Sequence, residues 1–176
     1  MKSILETAYT LEDENDFESA FLLYRNAFDM DREDFQLWRS FYFFLWYCLA
    51  EDGFLKCEKF ILDYNLRQEY DLLLNYGHET YSSIPEFYFI VGYTISVYPY
   101  LFPNILESES LGNQLIKKAW NLERSNLIYN MVRLGDSLPG SQEYSKSCIN
   151  ASTLVLNQYQ GKGYLNAYFR SVLFRI

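Results

Sequence analysis

Pro85-Glu86-Phe87-Tyr88-Phe89-Ile90-Val91-Gly92-Tyr93-Thr94-Ile95-Ser96-Val97-Tyr98-Pro99-Tyr100-Leu101-Phe102 carries no charge after its second residue. Three arrangements bury such a stretch: a membrane-spanning helix, a strand inside a sheet, or the central helix of a helical domain. A span needs about 20 apolar residues with interfacial basic flanks. Here the run after Glu86 is shorter, holds Thr94, Ser96 and Pro99, and has no basic flank. Phe, Tyr, Ile and Val favour strands, but Ser82-Ser83-Ile84-Pro85-Glu86 reads as a helix start, with a Ser cap, Pro in the first turn and an acid at the positive end of the dipole. Pro99 is the matching stop. The stretch is therefore read as a buried aromatic helix over 85–98, with its tyrosine hydroxyls at the core margin, reaching water.

Outward from it, helical spacing recurs in both directions. Toward the N-terminus, 54–76 reads as one long helix or two short ones ending at Asn75-Tyr76-Gly77-His78. Before it, a third helix starts near Asp31 or Arg32, is apolar on more than one face from Phe35 to Leu49, as in a helix packed on two sides, and closes at Glu51-Asp52-Gly53 with Gly53 as C-cap signal. Residues 16–29 form a helix that Asn15 or Asp16 caps, and 3–12 a short first helix. Toward the C-terminus, Glu107-Ser108-Glu109-Ser110 reads as a polar link or a short helical turn. Leu111, Leu115, Ala119, Leu122, Leu127, Met131 and Leu134 then mark an amphipathic helix with a break near Asn121. Leu138-Pro139-Gly140 is a sharp turn; a helix over 144–159 with Cys148, Leu154, Val155 and Leu156 inward follows, then Gly161-Lys162-Gly163 and a last helix over 164–174. The fold class is all-α: a single domain, 1–176, of about eight antiparallel helices in a repeat-like array or bundle around 85–98.

The chain has 176 residues, 49% hydrophobic and 19% aromatic, enough to bury a core without disulfides or metals. Its net charge of −8 is uneven: residues 1–52 hold twelve acids against four bases, and 53–176 hold equal numbers. An acidic surface repels nucleic acid and attracts a basic partner. The acids gather in two turns, Glu12, Asp13, Glu14 and Asp16 before the second helix, and Asp29, Asp31, Glu33 and Asp34 after it. These eight are the candidate partner-binding residues, with a solvated acidic surface as the alternative reading. Three cysteines without a C-x-x-C spacing, and one histidine, argue against a disulfide framework or zinc site and fit a reducing cytoplasm. Gly161-Lys162-Gly163 has neither the length nor the Ser or Thr of a phosphate loop. His78 beside Glu79 lacks a third group to orient it, and Cys57 between Lys56 and Lys59 lacks a second histidine as base. The expectation is a protein without enzyme activity, cofactor, metal, membrane or nucleic-acid partner.

Phe17, Ala20, Tyr24 and Ala27 are spaced in a way similar to the second helix of a tetratricopeptide unit, without a clean 34-residue period elsewhere. The stretch 85–102, together with Gly163-Tyr164-Leu165-Asn166-Ala167-Tyr168-Phe169-Arg170-Ser171-Val172-Leu173, resembles segments of small helical bacterial immunity proteins, in particular those of contact-dependent growth inhibition systems. That resemblance implies a cytosolic protein that binds one cognate toxin domain, often a nuclease, and covers its active site or substrate groove. It carries over no catalytic residue. A helical scaffold holding a peptide in a groove lined by Tyr and polar side chains is the alternative, and an enzyme with a carboxylate-only site is a third.

Overall fold

The computed structural model describes residues 3–175. Among the described residues the fold is all α, without a strand. The helices are α1 (Ile4–Asp13), α2 (Phe17–Met30), α3 (Phe35–Ala50), α4 (Asp52–Leu55), α5 (Glu58–Asp63), α6 (Leu66–Thr80), α7 (Pro85–Val97), α8 (Ile105–Leu122), α9 (Leu127–Ser137), α10 (Gln142–Gln158) and α11 (Tyr164–Leu173), with a 3-10 turn at Pro99–Leu101. The chain forms two compact units: residues up to Tyr81 with Gly161–Ala167, and Ser82–Gln160 with the residues from Tyr168 on.

Side-chain caps set most of the helix starts. Ser3 and Glu6 form a reciprocal capping box on α1. Asp16, Asp34, Asn104, Asn126 and Ser141 each accept from free N–H groups of the helix that follows. Pro85 stands at the start of α7, but the residue before it is Ile84 and no side chain caps the helix, so the expected Ser cap is not used. The expected helix over 54–76 is three: left-handed residues at Lys56 (φ 56) and Asn65 (φ 48) end α4 and begin α6. Gly53 lies within α4, and Gly77 is a buried residue inside α6; neither ends a helix.

Each unit is organised on one helix buried almost all round. In the first it is α3, where residues 40–46 are buried without interruption. Its rings are packed from both sides. Trp38 and Tyr42 stack at 5.1 Å, Tyr42 and Tyr70 at 5.1 Å, and Phe41 lies parallel to Tyr24 at 5.5 Å. In the second it is α7, buried from Phe87 through Ile95, as the absence of charge requires. Phe89 stacks on Tyr129 at 4.6 Å and packs against Phe169, which also meets Tyr159 at 4.8 Å.

The face by which α8 meets α7 differs from the expected one. Leu111 and Leu122 are exposed, and the buried stripe is Ser108, Gly112, Ile116 and Ala119. Of the two readings of Glu107 to Ser110 the helical one holds, as part of α8, and it starts a row of mostly small side chains. Gly112 meets Gly92 at the crossing. A Cβ on Gly112 would stand 2.6 Å from the Ser96 nitrogen and 2.7 Å from the Gly92 oxygen, and a Cβ on Gly92 2.7 Å from the Gly112 oxygen. The two backbones touch, which only glycine permits. α10 shows the same shift: Ser147, Cys148, Ala151 and Val155 face in, while Leu154 and Leu156 are exposed.

Tyrosine hydroxyls do not all reach water. Tyr24, Tyr42, Tyr70 and Tyr159 are fully buried. Tyr42 and Tyr70 hydrogen-bond each other at 2.8 Å, and Tyr24 donates to Glu12 at 2.6 Å. Pairing of this kind removes the penalty of a buried unbonded hydroxyl. Among the described residues no helix is long and apolar enough to cross a membrane.

Candidate functional site

Charge divides with the two units. The first holds seventeen Asp and Glu against eight Lys and Arg, a net −9, and the second six against seven, a net +1. All eight candidate acids lie in the first unit, in or next to the turns on either side of α2: Glu12 and Asp13 end α1, Asp29 is in the last turn of α2, and the other five lie between helices. At 1.5 Å per residue its 14 residues hold the turns about 20 Å apart.

The turn between α1 and α2 is largely committed to the fold. Glu12 is 2% exposed, so it belongs to the core and not to an interaction face. One carboxylate oxygen accepts from Tyr24 at 2.6 Å and the other from the Tyr164 N–H at 2.5 Å. Burial pushes its carboxyl up to about 7, against the pull of those two donors. Tyr164 is held further by Asn15, to which its hydroxyl donates at 3.0 Å, and by the Tyr47 ring at 4.6 Å. Asp13 pairs with Lys162 at 3.4 Å, and Asp16 caps α2 through the Ser19 N–H. Glu14, the C-cap residue of α1, is exposed.

The turn between α2 and α3 is different. Asp29, Asp31, Glu33 and Asp34 are all exposed. Asp34 caps α3 through two N–H groups, and Asp29 pairs with Arg32 at 2.6 Å. The turn itself is anchored by two tyrosines distant in sequence. Tyr76 and Tyr81 both donate to the Arg32 carbonyl, at 3.0 and 2.5 Å. Phe28 packs edge-on against Tyr76 at 5.3 Å and Phe35 against Tyr81 at 5.2 Å. Burial, followed by the neighbouring oxygens of Tyr76, Asp34, Asp31 and Glu33, raises the Tyr81 hydroxyl far above its ordinary value, so it stays a donor. Beside this turn lies a cleft of 280 Å³ among α2, α3 and α6, lined by Arg25, Phe28, Asp29, Arg32, Leu72 and Tyr76 among others.

The structure thus sets buried Glu12 apart from seven exposed carboxylates, of which Asp13 and Asp29 pair with cations and Asp16 and Asp34 cap helices. Asp29, Asp31, Glu33 and Asp34 stand around the Arg32 carbonyl that two tyrosines hold, next to a cleft whose lining includes Phe28, Phe41, Leu72 and Leu73. Sequence reading missed Tyr76, Tyr81 and the cleft, because the contacts that define them join residues 44 and 49 positions apart. Tyr76→Phe combined with Tyr81→Phe is expected to cost about 2 kcal/mol in chemical denaturation, roughly 1 for each lost hydrogen bond. The rings remain in place, so helix content should not change.

Among the described residues no group of three or more His, Cys, Asp or Glu is placed to hold a metal. A cavity of 560 Å³ is a groove of the second unit between α8 and α9, lined by Asn113, Gln114, Lys117, Arg133 and Asp136 among others. Its polar groups are partly engaged: Asn113 donates to Asp136 at 2.8 Å, and the Arg133 guanidinium lies 4.2 Å above the Trp120 ring. No family model matches the chain, and neither a curated protein nor a solved structure matches it.

Proposed function

We propose that this protein binds a basic protein through the acidic turn between α2 and α3, and that the partner is a nuclease-type bacterial toxin domain, which makes the chain its immunity protein. The observation that carries the reading is the exposed set of Asp29, Asp31, Glu33 and Asp34, around an Arg32 carbonyl held by Tyr76 and Tyr81 and beside an open cleft, on a unit of net charge −9. A nuclease grips phosphates with a basic groove, and a rigid row of carboxylates presents the complementary charge. The cleft suits an apolar or aromatic side chain of the partner as anchor. The likeness of 85–102 and 163–173 to immunity proteins supports the same class, and those segments build the scaffold.

Asp31 and Glu33 serve the test best, since neither caps the start of a helix. Asp31→Lys with Glu33→Lys is expected to slow association with the toxin domain encoded beside the gene by at least about tenfold at low salt, and much less at high salt. Circular dichroism should be unchanged. Protection of cells expressing that toxin should fall in parallel. Unchanged association at low salt removes this turn from the interface. The scaffold reading is favoured by the α8–α9 groove instead, and it predicts loss of binding on Lys117→Glu with Asn113→Ala while the turn variant binds normally.

A further inference from the structure

Cys48 and Cys57 are both buried in the first unit. Cys48 lies in the last turns of α3, and Cys57 immediately precedes α5. Between them the chain reverses through α4, whose end is turned by left-handed Lys56 (φ 56). The reversal brings the Cys57 Sγ within 3.6 Å of the Cys48 carbonyl oxygen, to which its thiol donates, and each thiol shifts the titration of the other. Cys57 also lines a cleft of 340 Å³ with Lys56, Lys59, Phe60 and Tyr64, which gives a small oxidant a route to it. Cys148 belongs to α10 of the second unit.

We propose that Cys48 and Cys57 form a redox-active pair: a hydroperoxide oxidises Cys57, and Cys48 resolves the product into an intramolecular disulfide. The reading is independent of what the acidic turn binds. The Cys57 thiolate attacks the outer oxygen of the hydroperoxide; the O–O bond breaks, its electrons leave with the alkoxide or hydroxide, and that ion takes the proton Cys57 released. Cys57 is left as a sulfenic acid. The Cys48 sulfur then gives up its proton and attacks the Cys57 sulfur. The S–O bond breaks, and the departing hydroxide takes that proton and leaves as water. Two thiols and one hydroperoxide thus become one disulfide, one alcohol or water, and one further water.

The environment divides the roles. The hydrogen bond from Cys48 draws the Cys57 thiol below its ordinary value, outweighing its burial, whereas burial pushes the Cys48 thiol up. Cys57 is therefore the attacking sulfur and Cys48 the resolving one. Their separation by a chain reversal, with the Cys57 sulfur already against the Cys48 main chain, places the second attack within reach of side-chain rotations.

The test treats the reduced, full-length protein with hydrogen peroxide under native conditions, followed by alkylation of remaining thiols, intact-mass measurement and peptide mapping. The expected result is a loss of two hydrogens per chain, protection of two thiols from alkylation, and a linked peptide pair containing Cys48 and Cys57, all reversed by dithiothreitol. Cys148→Ser should behave identically. In Cys48→Ser, Cys57 should stop at a sulfenic acid that dimedone traps. The proposal is overturned if the parent chain keeps three alkylatable thiols, if the bond joins Cys148 or a second chain, or if Cys57 accumulates as sulfinic acid with Cys48 still reduced.

Discussion

Gly92→Ala and Gly112→Ala are each expected to destabilise the second unit by about 3 kcal/mol, the upper part of the usual range for overpacking. Alanine is ordinarily the better helix former by about 1 kcal/mol, so propensity alone predicts the opposite sign. Packing decides because the obstructing atoms are mostly backbone. The new Cβ at 112 meets the Ser96 nitrogen at 2.6 Å and the Gly92 oxygen at 2.7 Å; the one at 92 meets the Gly112 oxygen at 2.7 Å and the Ile116 nitrogen at 2.8 Å. No rotamer change relieves such contacts, and α7 and α8 must move apart along their common stripe. The movement that admits one methyl largely admits the other, so the double variant should fall well short of the sum. Gly53→Ala is the control, since nothing lies within 4 Å of its Cβ position; it should be neutral or stabilising by up to about 1 kcal/mol. Denaturant midpoints followed by circular dichroism measure all four. Additive losses, or a neutral Gly112→Ala, would mean that the helices do not cross at these glycines.

The same contact shows which parts of the fold were legible. The stretch 85–102 declared itself through lack of charge, proline at both ends and length, and α7 is the buried helix it announced. Starts marked by Asp16 and the break near Asn121 were also local signals, and they hold. What periodicity misread was the face of α8. Leucine is the strongest apolar marker, so the eye follows Leu111 and Leu122, yet a crossing close enough for backbone contact has room only for Ser108 and Gly112. The row Ser108-x-x-x-Gly112, facing Gly92-x-x-x-Ser96, was in the sequence; it reads as polar linker until the partner helix is known. For the candidate site the limit was similar. Acidity could be counted, but whether a carboxylate is presented or buried depends on partners far along the chain. Tyr164 turns Glu12 inward across 152 positions, and Tyr76 and Tyr81 hold the α2–α3 turn outward-facing across more than 40.

Glu12 also makes the stability of the first unit depend on pH in an unusual direction. Most carboxylates with native partners are held below their ordinary value and stabilise a fold as pH rises. Here burial outweighs the Tyr24 and Tyr164 donors and lifts the carboxyl from 4.5 to about 7. The folded chain therefore binds this proton more tightly than the unfolded chain does. Linkage then requires the contribution to be fully present below about pH 4.5, to decline as pH rises through the interval up to about 7, and to be absent above it. The total is roughly 3 kcal/mol, at 1.36 kcal/mol per unit of pKa difference. Other groups titrate in the same interval, so the decisive quantity is the difference between the parent and Glu12→Gln. The amide is isosteric, its carbonyl can keep the Tyr164 N–H, and its NH₂ can donate to the Tyr24 hydroxyl, which reverses as acceptor. Glu12→Gln is expected to lack the slope, matching the parent near pH 4.5 and exceeding it by up to roughly 3 kcal/mol above pH 8. Glu12→Ala should lose stability at every pH, because it leaves both donors buried without an acceptor. Urea denaturation from pH 4.5 to 8.5 distinguishes the cases: parallel curves for parent and Glu12→Gln would place the carboxylate in water, whereas convergence at low pH identifies it as a proton held by the fold between α1, Tyr24 and Tyr164.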